Sequence, residues 1–481
     1  MWFCDGFGDR RAGRGKIVKL SQYVLCGYLM HKMYSIKLTG TADSSKIKDS
    51  EAIMNKNSIK SDRAQIAAII GRILLLFATF FIAFSVQDQK QGENREGMIQ
   101  EAARLDTSGL ILEVGEDERS VRVNWYSNEK SDFELQYGIP SGDGEPDNYV
   151  SVPLSRRKGG VGGTFRYTAN MTALEADSRY VYRILETGSG KMSRDYIYRT
   201  AQVEEMFTFL FAGDPQIGAE GTEEDSKKWD ETLKKSVSLV PEASFIITAG
   251  DQTDSSDKKK ANKQYLGFRS PDVLKELPAA VNRGNHEAGN DLYEKQFQRE
   301  GQQGMEYSFL YKNVLFIALD SMSTEPVQQI EFFRNTVETY PADWIVVTMH
   351  YSLFSAGSHA YDHDIIRQRE YFAPVFSECN VDLVLAGHDH SYTRTYYMNG
   401  LNSTGKDGGK KERGEVLYLT GGSSTGNKFY KKTKKEVGYD AFFLEDKIPV
   451  VTSVNVDGKT MTIRTFDMDS NEEIDFCEIR K

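Results

Sequence analysis

Five short polar clusters in this sequence each follow an apolar run. Gly213-Asp214-Pro215-Gln216 follows residues 207–212, and Gly250-Asp251-Gln252-Thr253-Asp254 follows 245–249. Asn282-Arg283-Gly284-Asn285-His286-Glu287 follows 279–281. Met349-His350-Tyr351-Ser352 follows 344–348, and Gly387-His388-Asp389-His390 follows 381–386. The chain has seven histidines, six of them between 286 and 390. Imidazoles, carboxylates and an amide are the donors that first-row metals and calcium take, and a carboxylate can bridge two ions. A His-x-His pair on an extended strand puts both rings on one face. Taken singly, a Gly-Asp is a turn or a helix cap and an Asn-His a satisfied polar pair. Five such clusters at five strand ends, in the order Asp, Asp, Asn, His, His-x-His, point to a two-metal hydrolytic centre.

The elements that must position these groups can be read around them. The runs at 207–212, 245–249, 314–319, 344–348 and 381–386 are short and apolar throughout, as buried strands of a layered α/β domain are. Helical stretches fall between them at 229–240, 329–340 and 367–376. Later strands are predicted at 416–420, 441–444, 450–456 and 461–466, and the Gly- and Lys-rich 399–415 reads as an exposed loop. In open α/β sheets, sites form beyond the carboxyl ends of strands. Upstream the period is two. Val121, Val123 and Trp125 alternate with Arg122 and Asn124, and Phe133, Leu135 and Tyr137 repeat the pattern. With Phe165, Tyr167, Tyr180 and Tyr182 this gives about seven short strands over residues 108–200, a small β-sandwich. Tyr180 is either a corner tyrosine or an ordinary core residue.

Residues 66–86 are apolar apart from Arg72 and the small polar residues, and Lys56, Lys60 and Arg63 precede them. This fits a secretory signal cut after Ser85, or an uncleaved membrane anchor. Either implies export to the outside or the outer membrane face. Met54 is an alternative start. The expected organisation is 1–86 extension and signal or anchor, 87–107 linker, 108–202 sandwich and 203–481 α/β domain. Cys379 and Cys477 either pair or stay free. The net charge of −10 over 481 residues argues against a general nucleic-acid binder. Beyond Gln87 the balance deepens to −17, because the first 86 residues carry 13 of the basic and 6 of the acidic groups.

The ordered series resembles the signature of the calcineurin-like metallophosphoesterase superfamily. More narrowly the chain is similar to the purple acid phosphatase-like, secreted bacterial group, over roughly residues 105–470. The stretches 174–183, 211–217 and 418–430 carry that narrower likeness. The resemblance implies a multidomain chain: an N-terminal all-β fibronectin III-like sandwich, then an α/β four-layer domain in which helices flank a β-sandwich. It implies that Asp214 and His390 hold one metal, that Asn285, His350 and His388 hold the other, and that Asp251 bridges them. His286 would lie beside the phosphate as acid or charge stabiliser. His359 and His363 would assist from a loop, and Arg394 would touch phosphate or pair with a carboxylate. Two positions depart from the pattern. The purple enzymes' tyrosine is Asp254 here, so no purple colour is expected. Most other members have a histidine where Gln216 stands. Gln216 and Asp254 are therefore candidate extra ligands, and the metals stay open among iron, zinc, manganese and calcium. The implied activity is hydrolysis of small phosphate monoesters by a metal-bound hydroxide. Phosphodiester or nucleotide hydrolysis at the same centre is the alternative.

Overall fold

A computed structural model of the chain describes residues 104–481 apart from 143, 160–163, 300, 301 and 303. The signal or anchor reading of 66–86 lies outside the described residues, as does most of the expected linker. Among the described residues no helix is long and apolar enough to cross a membrane.

The first part is all β. Ile111–Val114, Val121–Ser127, Phe165–Met171 and Ser155–Lys158 make one set of strands. Val150–Pro153, Phe133–Gly138, Arg179–Glu186 and Tyr196–Arg199 make a four-stranded sheet in that order. Alternation puts Val121, Val123, Trp125, Leu135, Tyr167 and Tyr182 into one core between them. Trp125 and Phe133 meet edge to face at 4.8 Å. The Tyr180 hydroxyl accepts the Glu175 N–H at 2.9 Å, which is the tie of a corner tyrosine. Tyr180→Phe should therefore cost about 1 kcal/mol, read as a lower urea midpoint at unchanged slope.

This β region is not a closed unit. Ile111–Val114 is buried along its whole length, and a buried edge needs a partner for its backbone. It finds one in Ala279–Val281, parallel, with Glu113 opposite Ala279. The result is a single eleven-stranded sheet running from the N-terminal strands into the α/β part. The sheet thus crosses the expected boundary near residue 202. One parallel bridge between strands far apart in the chain leaves no local signal.

In the α/β part, Phe207–Ala212 sits between Ala243–Thr248, parallel, and Val450–Asp457, antiparallel. A second, seven-stranded sheet contains Val314–Ala318, Trp344–Met349, Leu383–Ala386 and Leu417–Gly421 in parallel. The sheets face each other. Phe209, Phe211, Phe245 and Val454 of the first share a core with Phe316, Val346, Leu385 and Leu419 of the second. The alternate residues Leu210 and Ile246 pack outward on helices α1 (Thr222–Leu239) and α2 (Lys258–Phe268). Following the short α3 (Leu292–Phe297), helices α4 (Pro326–Thr339) and α5 (His363–Glu378) cover the other outer face through Phe333, Phe372 and Phe376. The layers are thus helix, sheet, sheet, helix. Asp225 fixes the start of α1, since its Oδ2 accepts the N–H groups of Gly218, Glu220 and Gly221 at 2.8, 3.1 and 3.3 Å.

The segment 399–415 differs from its sequence reading. It contains Asn402–Ser403 and Gly409–Lys410, the latter pairing with Glu473–Arg480. Lys411 is buried on Asp382 at 2.8 Å, so a lysine-rich composition conceals a buried ion pair. Cys379 and Cys477 are both free thiols.

Candidate metal centre

The five polar clusters converge at the carboxyl ends of their strands. Asp214, Asp251 and His350 are buried, with ligand atoms all within 4.8 Å of one another. His390 Nε2 lies 3.2 Å from Asp214 Oδ2. Asn285 Oδ1 lies 2.9 Å from both His350 Nε2 and His388 Nδ1. Asp251 Oδ1 is 3.4 Å from His350 Nε2, whose ring Nδ1 is 3.9 Å from Asp214 Oδ1. These side chains thus form one connected set of oxygen and nitrogen donors.

The backbone is forced to deliver them. Gln216, Asp251, His388 and His390 have φ of 39°, 45°, 71° and 42°, a region that costs non-glycine residues about 1–3 kcal/mol each. Only nine described non-glycine residues have positive φ, and four of them stand here. The neighbouring glycines leave the room required. A Cβ on Gly387 would fall 2.0 Å from Asp214 Oδ1, and one on Gly284 2.0 Å from Asp251 Oδ1. The loop 421–427 straps the first cluster: Thr425 Oγ1–H donates to Pro215 O at 2.9 Å, and Asn427 Nδ2–H to Gln216 O at 3.0 Å.

Electrostatics agree with a cation site. Burial pushes the Asp214 carboxyl well above its usual range. For Asp251 burial acts the same way, but His350 and His286 outweigh it and hold the carboxyl below its usual range. Burial works against charge on His350 as well, yet Asp251 and Asp214 lift it to about 9. Burial, reinforced by His350 and His359, takes His388 down to about 2. Burial and Lys428 take His390 down to about 3. The neutral His388 and His390 rings can take a cation directly, whereas Asp214 and His350 must give up a proton to do so. His390 Nδ1 and Gln216 Oε1 are buried without a hydrogen-bond partner, an expense that a donor set awaiting an ion explains. The residues present fit a two-metal group.

The remaining predicted residues divide. His286 is half-buried beside the cluster. Its Nε2 is 3.7 Å from Asp251 Oδ2 and 2.9 Å from Gln216 Nε2, its N–H donates to Asp251 Oδ1 at 3.0 Å, and its Nδ1 is held by the Asp254 carbonyl. Gln216 also donates to Asp254 Oδ1 at 3.3 Å, so the two departures from the family pattern bond each other. The His359 ring is 4.6 Å from that of His388, and its Nδ1 is 2.6 Å from Asp362 Oδ2. His363 opens α5, exposed, with no hydrogen bond or ring contact to the set. Arg394 is buried with Nε and Nη2 on Asp475 at 2.7 and 3.0 Å and Nη1 on Asp407. It pairs with carboxylates and is not placed to touch substrate.

Three residues near the centre had no assigned role from sequence. Tyr351 packs its ring 4.6 Å from His388, and Tyr430 lies 4.9 Å from His359 and 5.1 Å from His390. Glu287 is buried and takes the Thr253 and Gly284 N–H groups at 3.0 and 2.9 Å, which ties the second cluster to the third. Burial, with Asp251 nearby, pushes it up to about 7. Tyr351 and Glu287 adjoin motif residues, which was their available signal.

Residues 207–392 match the calcineurin-like phosphoesterase family, and 107–200 match the purple acid phosphatase N-terminal domain. The chain joins a calcineurin-like phosphoesterase domain to a purple acid phosphatase N-terminal domain. It is a phosphoric ester hydrolase. Purple acid phosphatase 18 of Arabidopsis thaliana is 24% identical to this phosphoesterase over 61% of this chain and 70% of its own. Purple acid phosphatase 5 of the same plant is 24% identical over 63% and 74%. A purple acid phosphatase from yellow lupin seeds superposes with a TM-score of 0.65 at 15% identity, covering 77% of this chain and 74% of its own. At that identity the lupin likeness is one of fold. It agrees with an N-terminal β domain followed by a metallophosphoesterase-like α/β domain.

Proposed function

We propose that this protein hydrolyses phosphate monoesters at a two-metal centre held by Asp214, Asp251, Asn285, His350, His388 and His390. The observation that carries the reading is the convergence of Asn285 Oδ1, His350 and His388, and of Asp214 and His390, around the buried Asp214, Asp251 and His350 group. Gln216 Oε1 is the most available additional donor. When bound, the metals would neutralise phosphoryl oxygens and make water a nucleophile near neutral pH. The donor chemistry leaves them open among iron, zinc, manganese and calcium.

The chain's own residues supply the rest. Water oxygen bonds to phosphorus, the ester P–O bond breaks, and the leaving oxygen needs a proton. His286 Nδ1 is tied to the Asp254 carbonyl and Nε2 accepts from Gln216 Nε2 at 2.9 Å, so His286 would take a proton on Nε2, with Gln216 turned away, and give it to that oxygen. Asp362 fixes His359 Nδ1, leaving its other nitrogen for the same task or for a phosphoryl oxygen. His363, exposed at the start of α5, is given no role in this proposal. The basic-then-apolar stretch before residue 87 supports action outside the cytoplasm.

His350→Ala removes a ligand atom from the better-defined set. Its kcat on p-nitrophenyl phosphate should fall at least about a thousandfold, with bound metal reduced and far-UV circular dichroism unchanged. Full activity in the purified variant would refute the centre. Faster turnover of bis(p-nitrophenyl) phosphate than of the monoester by the unaltered enzyme would replace monoester with diester as the substrate.

A further inference from the structure

Residues 428–435 read Lys-Phe-Tyr-Lys-Lys-Thr-Lys-Lys, five lysines in eight positions of an acidic chain. The segment has no regular secondary structure, yet it is fastened beside the metal centre. Tyr430 puts its ring against both His359 and His390. Thr433 N–H donates to Ala356 O at 2.9 Å, Ser358 Oγ–H to Lys431 O at 3.3 Å, and Tyr361 O–H to Glu436 O at 3.1 Å. The lysines therefore ride on the wall that carries His359.

Their charges are mostly uncompensated. Lys432 pairs with Asp440 at 2.7 Å. Among the described residues no carboxylate comes within 4.0 Å of the ammonium groups of Lys428, Lys431, Lys434 or Lys435. Lys428 and Lys435 instead stand 5.4 and 4.7 Å from the rings of Tyr430 and Tyr361. A cavity of about 360 Å³ opens between this segment and residues 443–448, with His390 in its lining. Lys431, Lys432 and Lys447 line it, as do Glu445 and Asp446. Crowding unpaired ammonium groups costs repulsion, and the two-metal donor set already accounts for one phosphoryl group. Screening limits each lysine to charges within about 8–10 Å. An anionic group on the substrate beyond the scissile phosphate would offset that repulsion.

We propose that 428–435 forms an anion subsite beside the metal centre, and that the preferred substrate is a phosphomonoester bearing at least one further phosphate group. This rests on the two-metal phosphomonoesterase reading above.

The test compares adenosine 3′,5′-bisphosphate with adenosine 5′-monophosphate by phosphate release from the metal-loaded enzyme. The bisphosphate should show kcat/KM about tenfold higher at low salt, chiefly through KM, and the advantage should shrink toward one near about 0.5 M salt. The triple variant Lys431→Gln/Lys434→Gln/Lys435→Gln should lower that ratio about fivefold or more. Lys227→Gln/Lys234→Gln, on the exposed face of α1, should leave it unchanged. Equal rates on the two substrates, or a ratio the triple variant does not move, would overturn the subsite while leaving the phosphatase intact. No hydrolysis of either substrate or of p-nitrophenyl phosphate would overturn both.

Discussion

Asp251→Asn is expected to lower kcat/KM for a phosphate monoester by about a thousandfold or more, close to 4 kcal/mol in the barrier, with the fold retained. The reasoning separates charge from shape. Asp251 has φ 45°, and asparagine tolerates that region better than other non-glycine residues do. Asparagine also keeps the oxygen that accepts the His286 N–H at 3.0 Å. What it loses is the negative charge beside His350 and His286, one of the two buried carboxylates that hold the donor set together. Metal content should fall in parallel, measured by elemental analysis after gel filtration. Alanine would be the poorer probe, since it adds backbone strain. Normal turnover by the asparagine variant would mean that Asp251 does not bridge the two sets.

Much of this site was legible because the chemistry sits where apolar runs stop. The stretch 207–212 ends as a strand at Ala212, and Asp214 follows within two residues. His388 likewise follows Ala386 by two residues, and Asp251 follows Thr248 by three. Periodicity in the strands and the polar type after each were enough. What stayed hidden is of two kinds. Side-chain direction was one: Arg394 follows the His-x-His motif closely yet turns to Asp475, because the strand Tyr392–Thr395 points it toward Glu473–Arg480. Long-range contact was the other. Tyr430 meets His359 and His390 across stretches of chain with no shared pattern. Three of the helices were read from the sequence and placed short, while α2 and α3 had no prediction. The predicted 229–240 is Thr222–Leu239, since its polar first turn is held by Asp225 rather than by apolar spacing.

The shared sheet was equally hidden, and the second large effect belongs to that junction. Arg269, immediately after α2, is fully buried. Its Nε–H donates to Gly109 O at 2.9 Å, and Nη2 donates to Asn124 O at 2.9 Å and to Asn124 Oδ1 at 3.2 Å. The guanidinium also lies 4.2 Å from the Tyr126 ring centre. Asn124 in turn donates to Gln296 O at 2.7 Å, and Arg122 and Arg166 reach Phe297 O and Gln298 O at 3.2 and 3.0 Å. The N-terminal strands thus cap the end of α3, the helix that follows the Asn285–Glu287 cluster. A buried ion can often be exchanged for an apolar side chain at little cost when its partners are exchanged too. That exchange is not available here, because two of the acceptors are main-chain carbonyls. Arg269→Met should therefore lose about 3 kcal/mol, read as a lower urea midpoint by tryptophan fluorescence, while turnover per folded molecule in dilute buffer is unchanged. A loss below about 1 kcal/mol would assign the junction to the sheet bridge and the apolar contacts instead of this guanidinium.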